Sequence, residues 1–194
     1  MKKITAAFGA LTLLISSAGV NAGLMMNITD SGGLAQFSLS GSDSVISGSE
    51  GLNGVWVHGA TVTSMFAVVP TSTTHNVSSG SGEITNTLMG SANIVGLYTD
   101  VGGSCCNFGV MNGSGGYLAV GDIISWSGSF TTDLMYNVFN AGSYYFDTLV
   151  SGSFGGVGLK DGITINVAAI PEPSIIALFG LGLVGIGFAR RRRS

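Results

Sequence analysis

The stretch GITINV (residues 162–167) alternates apolar and polar side chains without a break. Ile163, Ile165 and Val167 fall on one face and Thr164 and Asn166 on the other, the period of two that marks a half-buried strand. Lys160-Asp161-Gly162 just before it reads as a turn carrying the Asp-Gly hairpin signal. Working outward, the same texture recurs in AQFSLSG (35–41), GVWVHGATVTSMFAVV (54–69) and EITNTLM (83–89). It returns in NIVGLYTDV (93–101), YLAVGDIISWSGSF (117–130) and YYFDTLVSGSF (144–154). Each run is rich in β-branched or aromatic residues and bounded by Gly, Ser, Asn or Asp. Only TTDLMYNVFNAG (131–142) has room for a helical turn or two. No body segment carries an apolar repeat at helical spacing, and no internal repeat has a fixed period. Seven or more short strands predict an all-β fold, a β-sandwich or jelly-roll-like single domain. Trp56, Trp126, Phe66, Phe146, Ile123 and Ile124 are the expected core.

Composition agrees. Between residues 23 and 170 there are 26 Gly, 21 Ser and 13 Thr, and the glycines belong in turns and bulges because strand interiors disfavour them. Nine carboxylates face a single lysine, Lys160, so the body is strongly acidic. Nucleic-acid binding needs clustered cations and is excluded on charge.

The two ends differ from the body. Residues 1–22 begin with Lys2-Lys3, continue apolar to about Ile15, and close on small residues with Val20 and Ala22 at the −3 and −1 positions. That order fits a secretory signal peptide better than a buried N-terminal helix, with cleavage between Ala22 and Gly23. At the other end, Pro171-Glu172-Pro173 stops any sheet or helix. Residues 174–189 are uncharged, and Arg190, Arg191, Arg192 and Arg193 follow. As a helix this run is about 24 Å long, a little short of a bilayer core of about 30 Å. Snorkelling arginines close the gap and keep that end cytoplasmic. A soluble partner-binding helix would need a polar face, which the run lacks. Chain organisation is therefore expected as signal peptide (1–22), secreted Gly/Ser/Thr-rich β-domain (23–169), and tail (170–194) with a transmembrane helix (174–189).

The tail PEPSIIALFGLGLVGIGFARRRR resembles the PEP-CTERM sorting signal of exopolysaccharide-producing Gram-negative bacteria: Pro171, Glu172 and Pro173 match its motif and Arg190 to Arg193 its basic end. The resemblance implies processing by exosortase, a membrane transpeptidase, after export through the secretory translocon and cleavage by signal peptidase. It implies transient inner-membrane anchoring with the body periplasmic, then a cell-surface or extracellular location and contact with exopolysaccharide. This tail also goes under the name ice-binding protein C-terminal domain, but the body shows no regular threonine array.

Few residues offer chemistry. Cys105 and Cys106 are the two cysteines. In an oxidising compartment they are candidates for a vicinal disulfide stiffening a loop, or for free or intermolecularly paired thiols. They are too few for a metal site. His58 is expected on the Trp56 face of a strand and His75 in an exposed loop. No nucleophile elbow is evident, and Glu50 and Glu83 are the body's two glutamates for any carboxylate pair. Asp122, Asp133 and Asp161 read as turn residues before Ca²⁺ ligands. The expected role is non-enzymatic, without cofactor, structural or adhesive in an exopolysaccharide matrix. The alternative is a carbohydrate-binding module using Tyr117, Tyr144 or Tyr145, and a secreted hydrolase comes third.

Overall fold

A computed structural model describes residues 23–169, apart from 52, 69, 71–72, 88–89, 101–106, 113–116 and 152. The expected signal peptide, Ala22, the cysteine pair and the whole tail with its transmembrane helix lie outside the described residues. Among the described residues there are twelve strands: β1 (Gly23–Ser31), β2 (Leu34–Ser47), β3 (Ser49–Gly51), β4 (Gly54–His58), β5 (Thr73–Asn76), β6 (Ser79–Asn86), β7 (Gly90–Asp100), β8 (Asn107–Asn112), β9 (Tyr117–Ala119), β10 (Ile123–Met135), β11 (Gly142–Ser151) and β12 (Ser153–Val167). A five-residue helix α1 (Ala60–Ser64) and a 3₁₀ turn at Tyr136–Val138 complete the elements.

The all-β expectation holds, and the strands form one ten-stranded sheet rather than two stacked ones. Its order is β5-β7-β6-β10-β2-β1-β12-β11-β4-β8, and a further β7–β8 pairing brings the last strand back to the start. The sheet therefore curls nearly into a barrel, which pairs edges that a sandwich would leave open. A small β3–β9 ribbon stands apart. Most neighbours are antiparallel, but β1 runs parallel to β12, from Leu24 opposite Ile163 to Ile28 opposite Val167.

The opening stretch behaves as read: Ile163, Ile165 and Val167 are buried and Thr164 and Asn166 face outward, half-buried. Inside, Phe37 stacks on Phe130 at 5.3 Å, and Phe66, Phe108 and Phe139 meet edge-on or tilted at 5.0–5.9 Å. Such pairs add about 0.5–1.5 kcal/mol each beyond area burial. Of the expected core, Trp126, Phe66, Phe146 and Ile124 are buried. Ile123 is 53% exposed, because strand alternation sends only Ile124 inward. Trp56 is half-buried on the outer face, beside Tyr98 at 5.8 Å. There both rings flank Gly109, the residue paired with each of them.

Three local expectations need correction. Lys160-Asp161-Gly162 is not a hairpin turn but lies within β12. Gly162 has φ +78°, and the β11–β12 register shifts just there, so the Asp-Gly signal marks a bend in a long strand. The run from residue 54 to 69 is strand only as far as His58 and then turns into α1. Val62 and Met65 from this turn enter the core, and the Met65 carbonyl accepts the Asn140 N–H at 2.7 Å. His75 is not in an exposed loop but half-buried in β5.

Candidate functional site

Two places on the barrel border the ends of the body: the end of β12 and the start of β1. At the first, the Ala168 N–H donates to the Ile28 carbonyl at 3.0 Å. The Tyr136 hydroxyl donates to the Ala168 carbonyl, and the Tyr136 N–H donates to Gly33 at 2.9 Å. Burial, and secondarily the Asp30 carboxylate, hold the Tyr136 pKa above its ordinary value of 10.0, so the hydroxyl remains a donor. The Asp30 carboxylate itself accepts the Gly33 N–H at 2.6 Å in the β1–β2 turn. The chain thus stays fastened to the barrel up to Ala168, three residues before Pro171.

The start of β1 is built differently. Because β1 runs parallel to β12, Gly23 lies away from the tail exit. Beyond Gly23 the flanking strands pair with each other, Val45 opposite Leu159 and Ser47 opposite Gly158. Asp43, 4% exposed, seals the junction. Its carboxylate accepts the N–H of Ser44 (2.7 Å), Asp161 (3.0 Å to the nearer oxygen) and Gly162 (2.7 Å). Three backbone donors are satisfied by one charged acceptor, which is why this carboxylate is tolerated inside.

The remaining candidates are dispersed. The His75 Nδ1 contacts Asp133 Oδ1 at 2.7 Å, and its Nε2 reaches the Thr99 hydroxyl at 3.5 Å. Acid, imidazole and hydroxyl stand in the order of a nucleophilic triad, yet Thr99 is fully buried and its hydroxyl also contacts the Thr73 carbonyl at 3.5 Å. This arrangement ties β5 to β10 and β7. His58 lies on the Trp56 face as expected, its Nδ1 2.8 Å from Asn107 Oδ1. Glu83 is exposed on β6 opposite Asn93, and Glu50 falls in β3. Asp122 accepts the Ala119 N–H at 2.8 Å, the turn role expected of it. Among the described residues no group of three or more His, Cys, Asp or Glu comes together to hold a metal, and no helix is long and apolar enough to cross a membrane. Of the tyrosines, Tyr117 (54%) and Tyr145 (57%) are exposed. Tyr144 packs on the core and donates its hydroxyl to the Asn140 carbonyl at 3.0 Å. Sequence reasoning passed over Asp43 and Tyr136. Nothing local distinguishes them from other turn aspartates and strand tyrosines, since their partners lie 118 and 32 residues away.

Residues 169–193 match the family model of the PEP-CTERM protein-sorting motif. No curated protein and no solved structure matches the chain. The motif marks an exported protein that passes the membrane and is processed by an exosortase.

Proposed function

We propose that this chain, delivered by its PEP-CTERM motif to an exosortase, serves outside the cell as a non-enzymatic structural or adhesive β-domain in an exopolysaccharide matrix. The observation that carries the reading is the sorting match over residues 169–193, which begins just past the point where the barrel releases the chain at Ala168. A folded barrel ending there leaves Pro171-Glu172-Pro173 as a short stiff spacer before the apolar run. In this reading signal peptidase cuts between Ala22 and Gly23, residues 174–189 anchor the body transiently at the inner membrane, and Arg190 to Arg193 stay cytoplasmic. The engaged rings of His58 and His75 support a non-catalytic role.

The test is the mass of the native protein from culture supernatant and from membranes, in wild type and after deletion of residues 171–173. Loss of everything beyond the Pro-Glu-Pro region in wild type, with full-length membrane retention in the deletion, is the expected result. A native mass that keeps Arg190 to Arg193 would sink the matrix reading.

Carbohydrate binding is the second reading, favoured by the exposed rings of Tyr117 and Tyr145. Aromatic faces open to solvent are the usual stacking partners of sugar rings. Tyr144 does not join them, so a row of three is not formed. Retention on immobilised exopolysaccharide that disappears in the Tyr117→Ala/Tyr145→Ala double variant would favour this reading over a purely structural one.

A further inference from the structure

Beside the start of β1, strand β12 carries an unpaired acceptor. Asp161 Oδ2 is buried and has no hydrogen-bond partner among the described residues. A solvent-shielded carboxylate oxygen without a donor is costly, and a nearby cation would remove the cost. Lys160, next in sequence, is exposed and makes no ion pair among the described residues. What does lie against Asp161 is Gly23. A Cβ built on Gly23 would stand 3.6 Å from the Asp161 Cβ, 3.5 Å from its carbonyl oxygen and 3.3 Å from the Gly162 carbonyl oxygen. Two carbonyl oxygens and the Asp161 side-chain stem therefore lie against the first residue of the strand, and β2 and β12 close the slot just beyond it.

We infer that this slot binds the chain's own processed terminus, the α-ammonium of Gly23 pairing with the Asp161 carboxylate once the leader is removed. Hydrolysis of the Ala22–Gly23 amide adds one water, leaving a carboxylate on Ala22 and an amine on Gly23 that takes up a proton. An uncut chain presents a single neutral N–H at this point. The cut chain presents three N–H donors and a positive charge, which suit the two carbonyl oxygens and the unpaired carboxylate oxygen of Asp161. The barrel thus gains this ion pair only after cleavage. This inference rests on the proposed export and cleavage between Ala22 and Gly23, and an N-terminal residue other than Gly23 in the exported protein would overturn that reading itself.

The experiment uses exported protein in four forms: wild type, Asp161→Asn, a chain with one serine inserted between Ala22 and Gly23, and the two changes combined. N-terminal sequencing first establishes where each begins, and thermal unfolding follows. In the chain starting at Gly23, Asp161→Asn is expected to lower Tm by about 5 °C. In the serine-extended chain, where the amine is displaced from the slot, the same substitution is expected to change Tm by less than about 1 °C. Equal effects in both backgrounds would overturn the ion pair while leaving the cleavage reading intact.

Discussion

Tyr136 and Asp43 each fasten the chain through one polar side chain. The Tyr136 hydroxyl donates to Ala168, the last link before the tail. Tyr136→Phe should cost about 1 kcal/mol, seen as a Tm lower by about 2–4 °C. Its raised pKa adds a sign to the pH dependence. The folded state holds the phenolic proton more tightly than the unfolded chain, so this stability is intact below the ordinary tyrosine pKa of about 10 and is lost as pH rises through the folded value. Wild type should therefore lose more stability than Tyr136→Phe between neutral pH and the range above 10, as followed by urea unfolding at each pH. For Asp43, truncation to alanine strands the N–H groups of Asp161 and Gly162. A loss of about 2–4 kcal/mol is expected, read as a lower urea midpoint. Neither residue was legible in the sequence, because each acts on backbone far away along the chain.

Strands were legible where alternation was clean. In β12 the pattern predicted which side chains point inward, since a period of two admits one assignment once either face is buried. It failed at α1, where Ala60–Ser64 is β-branched and strand-like in composition but folds as a helical turn. There the demand to bring Val62 and Met65 inward outweighs a weak local preference. Glycine at strand positions is likewise explained only by neighbours. A Cβ on Gly109 would meet the Val55 carbonyl oxygen at 2.0 Å and the Trp56 Cα at 2.6 Å. Gly109→Ala should push β4 from β8 and cost about 1–3 kcal/mol. Hydrogen exchange should show the loss of protection concentrated in Gly54–His58 and Asn107–Asn112.

Continuity of the sheet at its middle depends on residues at opposite limits of the body: β1 pairs with β12, and Asn27 Oδ1 accepts the Asn166 side-chain N–H at 3.1 Å. Deleting residues 163–167 should abolish cooperative thermal unfolding, because β1 and β11 would each lose a pairing edge. Refolding should be slow, on the order of milliseconds to seconds, as expected when the decisive pairings are remote in sequence. The amino-acid sequence by itself determined the all-β class, the inward face of β12 and the sorting tail. Each rests on local periodicity, composition or a contiguous motif. Only the tertiary structure decided that the sheet curls back on itself, that Asp161 bends a strand rather than ending one, and that Gly23 starts within the wall. Those outcomes depend on which distant strands share hydrogen bonds, and a period of two says which way a side chain points but not which strand lies beside it.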